Sequence, residues 1–169
     1  SPQRNRANYA GVMGAGRHEQ VFVTEDTTAC GAYFRDGTFY PDSRVTAAHI
    51  KDGLSQTLVI GERAYSTRDS WMMGSFWSGS PQAKSCVYAA KNVSWPINSQ
   101  GRVGYFVGDN DAPAEQRTIP MNDLMFGSDH GQGAFFLAAD GSVAYLTDTV
   151  ALDILQDRVT IAGGEVLAP

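Results

Sequence analysis

The chain has 169 residues, 43% of them hydrophobic, which is enough for one ordinary core and predicts a single globular domain over residues 1–169. The 13 basic and 18 acidic residues give a net charge of −5 without a basic stripe, so a nucleic-acid partner is not expected. No run approaches the roughly 18 consecutive apolar residues that a membrane-spanning helix needs.

Short runs with strand-like composition recur between turns in the first half of the chain. They are residues 9–13, 20–23, 29–34 and 38–40. Thr46 predicts the N-cap of a short helix over residues 47–51. Residues 57–60 are rich in β-branched side chains and too apolar to be solvated on both faces, so we expect them in the middle of a sheet.

The second half predicts strands at residues 72–77 and 103–107 and the best helix of the chain at residues 150–157. Asp148 or Thr149 caps this helix, whose apolar residues fall on one face. Together these elements predict an α+β fold, in which an antiparallel sheet carries one or two short helices and long loops.

The most informative segment runs from Phe126 to Leu146, where His130 is followed after nine residues by Asp140-Gly141. Apolar runs lie on either side of the Asp-Gly pair, at residues 134–139 and 142–146. Asp-Gly between such runs is the strongest short-range signal for a hairpin, because a type I′ turn needs positive φ at both central positions. We therefore expect Asp140 and Gly141 at the tip of a tight hairpin.

Four further motifs accompany this segment along the chain. They are Asn8-Tyr-Ala-Gly-Val-Met-Gly14; Asp36-Gly-Thr-Phe-Tyr40 with Ser43-Arg-Val45; Ile50-Lys-Asp-Gly-Leu-Ser-Gln-Thr-Leu-Val-Ile-Gly-Glu-Arg63; and Ala162-Gly-Gly-Glu-Val-Leu167. The set resembles the shared region of the planctomycete-type prepilin-like proteins, a large family whose domain has no defined function. Gln56 stands where the family usually has asparagine.

The resemblance implies an extracytoplasmic, non-enzymatic structural subunit with a pseudopilin-like globular head that assembles into homo-oligomers or filaments. Members of the family begin with a prepilin leader and a long hydrophobic helix, whereas this chain opens on Ser1-Pro-Gln-Arg without an apolar run. We therefore expect membrane contact only through a helix that this chain lacks.

Cys30 and Cys86 are the only two cysteines, and neither has a cysteine or histidine companion at metal-ligand spacing. In a chain outside the cytoplasm they predict a disulfide. The alternative is two separate buried thiols, which pack as small apolar side chains.

The remaining polar candidates each have a structural and a functional interpretation. His130 is a general base, a ligand or a tie between its loop and the hairpin; we expect the structural role, because no recognised nucleophile motif accompanies it. Asp140 serves turn geometry. Glu62 and Arg63 lie at the end of the predicted central strand. We expect them to be ion-pair partners, and the alternative is that they are site residues.

Two binding hypotheses remain open. Asp109, Asn110 and Asp111 offer the oxygen ligands that Ca²⁺ prefers, or they form a solvated acidic loop. The tryptophans of the aromatic region 71–106 either fill the core or stack on a sugar, which would make the chain a solute- or glycan-binding module. They are Trp71, Trp77 and Trp95.

Overall fold

The computed structural model describes residues 8–17, 21–22, 30–63 and 86–164. Within these ranges the strands are β1 (Tyr9–Gly14), β2 (Val21–Phe22), β3 (Tyr33–Phe34), β4 (Leu58–Glu62), β5 (Ala90–Asn92), β6 (Tyr105–Phe106), β7 (Arg117–Ile119), β8 (Gly133–Ala138) and β9 (Val143–Thr147). The α-helix is α1 (Leu152–Asp157). No helix in these ranges is long and apolar enough to cross a membrane.

Five strands form the main sheet in the order β5-β1-β4-β8-β9, with β2-β3 and β6-β7 as separate two-stranded sheets. The predicted α+β class is confirmed, and so is the central position of the strand at residues 57–60. The predicted sheet was wholly antiparallel, whereas the observed sheet is mixed, because β5 pairs with β1 in parallel. The sequence did not predict β5, since Ala90-Lys-Asn92 lacks β-branched and aromatic side chains.

One face of the main sheet carries the core, and we call it the inner face. Val12 of β1 and Phe136 of β8 pack there with Leu155 of α1. Between Leu58 and Ile60 the pairing of β4 with β8 shifts by one residue, so that Leu58 opposes Ala138 while Ile60 opposes Leu137. This bulge sends Leu58 to the inner face and Ile60 to the opposite one.

Gly61 allows aromatic side chains of the inner face to pack directly against the backbone of β4. A Cβ atom at this position would lie 2.5 Å from ring atoms of both Phe126 and Phe136. The two rings pack with centroids 5.5 Å apart directly over the glycine backbone. The aromatic core therefore depends on the missing side chain of Gly61.

Several predicted elements are shorter than expected or differ in kind. Residues 38–40 form no strand, although the amide of Phe39 donates to the Val12 carbonyl. The helix predicted at 47–51 is a 3₁₀ helix, Ala47–His49. The last helix begins at Leu152, because the Val150 amide closes a turn on the Thr147 carbonyl instead. The strand predicted at residues 72–77 lies outside the described residues.

The hairpin between β8 and β9 exists, but its turn is not the expected type I′. Gly141 has a φ of +89°, whereas Asp140 is not among the residues with positive φ. The Gly141 amide donates to the Ala138 carbonyl, and the Ala138 amide donates to the Ser142 carbonyl. This pattern is a three-residue loop whose last residue is left-handed, so only Gly141 has to adopt positive φ.

Cys30 and Cys86 form a disulfide with a Cα–Cα distance of 4.7 Å, which confirms the predicted pair. Both cysteines are buried in a second apolar cluster with Ile119 and Met125. Disulfides are typical of proteins outside the cytoplasm. The bond joins the segment before β3 to the segment before β5, so it fixes two parts of the chain that no pairing among the described strands connects.

We expect a Cys30→Ala/Cys86→Ala variant to lose about 4 kcal/mol of unfolding free energy, because the bond closes a loop across 56 positions of the unfolded chain. Urea denaturation of both proteins measures the difference. Two reactive thiols in the unreduced, unfolded wild-type protein would contradict the disulfide.

Candidate functional site

The loop before β8 is closed by side chains that bind its own backbone. The Ser128 hydroxyl donates to the Gly133 carbonyl at 2.7 Å. Asn98 reaches the loop from another segment: its Oδ1 accepts the Ser128 amide at 2.8 Å, and its Nδ2 donates to the Gly133 carbonyl at 3.3 Å. We call residues 127–133 the signature loop.

His130 and Glu62, which come from two different motifs, meet beside this loop. His130 Nε2 lies 3.4 Å from Glu62 Oε1, and the imidazole is 69% exposed whereas the Glu62 side chain is 7% exposed. Glu62 Oε2 accepts the amide of Phe135 at 3.0 Å, where strand pairing between β4 and β8 has stopped. The Glu62 carboxylate thus supplies the next hydrogen bond between β4 and β8, in place of a backbone carbonyl. The His130 imidazole covers this carboxylate on the solvent side.

The contacts of this pair are those of a tie between loop and sheet. The only hydroxyl within the signature loop, that of Ser128, is directed at the Gly133 carbonyl and not at the imidazole. The backbone amide of His130 donates in turn to Ser128 Oγ at 3.2 Å. A general base needs the proton that it abstracts within hydrogen-bond reach, and the Ser128 hydroxyl does not supply one.

Asp140 binds within the hairpin turn that it was expected to support. Its Oδ1 accepts both the amide of Ser142 at 2.9 Å and the hydroxyl of Ser142 at 2.6 Å. These hydrogen bonds, the hydroxyl's first, hold the pKa of the exposed Asp140 carboxyl below its ordinary value. Asp140 and His130 lie at opposite ends of β8 and form no common site.

Gly141→Val should lower the unfolding free energy by more than about 1 kcal/mol, because a β-branched residue is strained at positive φ. No atom lies within 4 Å of the added Cβ, so the whole cost is conformational. His130→Gln should leave stability nearly unchanged. Thermal and urea unfolding of both variants test this pair, and a His130→Gln protein of normal stability that had lost a measurable ligand affinity would contradict the structural role.

The Asp36 carboxylate is the main structural acceptor that sequence reasoning missed. It is 3% exposed and accepts the amides of three successive residues, Ala15 at 3.0 Å, Gly16 at 3.2 Å and Arg17 at 2.9 Å. Gly14, at a φ of +128°, leaves the space that the carboxylate occupies. The sequence signal was present as Asp36-Gly37, which was noted only as part of a shared motif.

The Asp52 carboxylate likewise accepts backbone amides, here from the closing glycine pair Gly163-Gly164. Its Oδ2 accepts the Gly163 amide at 2.8 Å, and its Oδ1 accepts the Gly164 amide at 2.9 Å. The motif that contains Asp52 and the closing glycine pair are therefore in contact. Both carboxylates satisfy backbone amides that no strand or helix pairs.

We expect Asp36→Asn to lower the unfolding free energy by about 1–3 kcal/mol, because the amide side chain offers one acceptor oxygen where the carboxylate offers two. Asp42→Asn is the matched control: Asp42 is exposed at a φ of +61°, which asparagine tolerates, and should cost little. Urea denaturation at pH 7 measures both, and equal stabilities would contradict the role of Asp36.

A buried polar cluster joins β5 to the chain around it. Lys91 is fully buried, and its Nζ donates to the Val87 carbonyl at 2.5 Å. Asn92 donates to the Ala32 carbonyl and to Asp123 Oδ1, at 2.9 and 2.8 Å. Burial raises the pKa of the Asp123 carboxyl, while hydrogen bonds from side chains such as Asn92 act against that shift.

The loop proposed for calcium has internal contacts of its own. Asp109 Oδ1 accepts the amide of Asp111 at 3.0 Å. The guanidinium of Arg117 donates to the carbonyls of Asn110 and Ala112. Among the described residues no three His, Cys, Asp or Glu side chains converge as a metal site. Calcium binding at Asp109, Asn110 and Asp111 stays a prediction.

The face of the sheet opposite the core carries most of the exposed large apolar side chains of the described chain, and we call it the outer face. Six such side chains are more than two-fifths exposed. Five lie on the outer face: Tyr9 59%, Phe39 47%, Phe135 43%, Val143 65% and Tyr145 43%. Ile154, on α1, is the sixth.

A pocket of about 500 Å³ opens at the β1 and β5 end of the outer face. Tyr9, Phe39 and Tyr40 supply its aromatic walls, and Val87 and Ala89 line it from the segment before β5. Trp95, from the proposed aromatic region, packs instead against the cluster around the disulfide. Trp71 and Trp77 lie outside the described residues.

These features define an α+β protein whose shared motifs brace its own backbone and whose sheet exposes an apolar face. The family described as "Protein of unknown function (DUF1559)" matches residues 3–153, and the chain belongs to it. No curated protein and no solved structure matches the chain.

Proposed function

We propose that the chain is the globular head of a prepilin- or pseudopilin-like protein, a non-enzymatic structural subunit that takes part in pilus-like or cell-surface assembly outside the cytoplasm. Family membership over residues 3–153 supports this, together with the resemblance of its motifs to planctomycete-type prepilin-like proteins. The disulfide between Cys30 and Cys86 supports an oxidising compartment.

One observation carries the proposal: the polar motif residues bind backbone groups of the same chain. Asp36 and Asp52 accept loop amides, Glu62 accepts a strand amide, and Ser128 donates to a loop carbonyl. In an enzyme, by contrast, the characteristic side chains direct reactive atoms towards a shared cavity. The outer-face pocket is lined by none of these four residues. The pattern favours a rigid building block over a catalyst.

A solute- or glycan-binding module is the alternative, and the pocket favours it. Its volume of about 500 Å³ is within the usual range for small-molecule sites. Aromatic walls from Tyr9, Phe39 and Tyr40 offer apolar faces to a ring, and the Asp42 carboxylate at its edge offers an acceptor. In this alternative the aromatic walls come from β1 and residues 39–40, and the region 71–106 supplies the aliphatic lining of Val87, Ala89 and Ala90.

The proposed function predicts that the product of the complete gene is cleaved by a prepilin peptidase. Co-expression with and without the peptidase, followed by mass spectrometry of the N-terminus, measures this. The processed protein should then appear in the fraction sheared from the cell surface. An unprocessed chain with reduced cysteines in the cytosol would contradict the proposal. A sugar that binds the wild type but not a Phe39→Ala variant would favour the alternative.

A further inference from the structure

We propose that two copies of this chain associate through their outer faces, with a two-fold axis along β4. This inference rests on the proposed function, since it names the partner and the surface of assembly. The order of side chains across the face, its exposed area and its charge support this association.

The strand register arranges the outer face in two rows that cross the sheet. In the first row Tyr9 pairs with Glu62, whose side chain binds the Phe135 amide, and Phe135 pairs with Tyr145. The rings of Phe135 and Tyr145 pack edge to face, 5.0 Å apart. This row therefore has an aromatic pair at the β8 and β9 end and the pocket wall, Tyr9, at the β1 end.

The second row repeats the arrangement with aliphatic side chains. Ile60 pairs with Leu137, and Leu137 pairs with Val143. On the other side Ile60 pairs with Gly11, whose missing Cβ lets the Phe39 side chain lie against the backbone. Exposed Phe135, Tyr145 and Val143 thus lie at the β8 and β9 end, whereas exposed Tyr9 and Phe39 border the pocket at the β1 and β5 end.

A two-fold axis along the central strand β4 exchanges these two ends. The β8 residues of one copy then face the β1 residues of the other in the same row, so that Phe135 opposes the partner copy's Tyr9. Tyr145 is brought over the pocket, beside Val87 and Ala89. The contact is self-complementary, since each copy supplies one aromatic pair and one pocket. Packed sheets about 10 Å apart give side chains from both copies room to interdigitate.

The exposed area suits a moderate, reversible dimer. An aromatic side chain carries roughly 200 Å² of surface, so five large residues that are about half exposed present on the order of 500 Å². Ile60 and Leu137 of the second row, which are partly exposed, add to this. The sum, on the order of 600 Å², stays below the roughly 800 Å² that each partner contributes to a standard interface, as expected for a weak contact.

The charge distribution also favours a second copy over a charged partner. The chain carries a net charge of −5, so most pairings of its surface with itself are repulsive. The two rows contain one carboxylate, that of Glu62, which is 7% exposed, accepts the Phe135 amide and lies against His130. Asp42 stands at the pocket edge. The axis along β4 sets the Glu62 side chains of the two copies opposite each other, but each is buried against its own Phe135 amide and His130 ring, so no exposed carboxylate meets its copy.

Sedimentation velocity of the 169-residue chain, over roughly 5 to 500 µM, tests the interface. The wild type should shift from monomer to dimer within this range, and Phe135→Lys should weaken the dimer about tenfold or more, as loss of a central contact does. Ile154→Lys is the matched control, because Ile154 has the same 43% exposure but lies on α1. A wild type that stays monomeric, or equal effects of the two substitutions, would overturn the proposal.

A charge swap tests the two-fold pairing itself. Tyr9→Glu alone should weaken the dimer as Phe135→Lys does, because each places a charge against an apolar ring. An equimolar mixture should dimerise more strongly than either variant, since one contact then joins the new carboxylate to the new ammonium and the other keeps its native rings. Circular dichroism of each variant confirms folding. A mixture no tighter than its components would overturn the pairing of Tyr9 with Phe135.

The two proposals fail separately. A head that stays monomeric, in a full-length protein that is processed and assembled, overturns the interface and leaves the proposed function intact. If Phe135→Lys disrupts a dimer but the full-length protein is never processed, the interface stands and the proposed function is overturned.

Discussion

Backbone amides outside any ladder or helix are the constraint on which this fold depends. All nine described strands have two to six residues, and the α-helix has six, so long stretches of chain cannot pair their amides with regular structure. A buried amide without an acceptor costs free energy comparable to a lost hydrogen bond. Carboxylates meet this requirement here: Asp36 takes three amides and Asp52 takes two.

The glycines of the motifs follow from the same constraint. A carboxylate can accept several neighbouring amides only where the backbone comes close, and a Cβ atom would block that approach. Gly14 leaves room for Asp36, and Gly127 leaves room for Asn98 as it binds the signature loop. The motifs are therefore best understood as pairs of an acceptor and a glycine, which lie far apart in sequence and meet in the fold.

The bulge in β4 links this internal bracing to the outer surface. By shifting the phase of the strand it keeps Leu58 and Gly61 on the core side and sends Ile60 outward, in line with Leu137. The short helix α1 covers the inner face only. The outer face keeps its exposed aromatic side chains, and any function of the chain in assembly or binding has this surface available.

The sequence by itself determined the features that depend on local backbone preference. The central strand, the β8–β9 hairpin and the need for glycine at position 141 follow from β-branched composition and from turn chemistry, which act within a few residues. The α+β class follows from the order of these elements. The disulfide could also be predicted, although with an alternative, because the chain has only two cysteines and its motifs resemble those of exported proteins.

Only the tertiary structure decided which distant residues meet. Three features depend on which strands become neighbours. They are the contact of His130 with Glu62, the hydrogen bonds of Asp36 with the amides of residues 15–17, and the parallel pairing of β5 with β1. Strand composition does not specify that choice, because many pairings bury similar apolar area. The outer face, likewise, joins Tyr9, Phe39 and Tyr145 from three separate segments through strand order and one bulge. Those are properties of the whole sheet, set by long-range packing rather than by local preference.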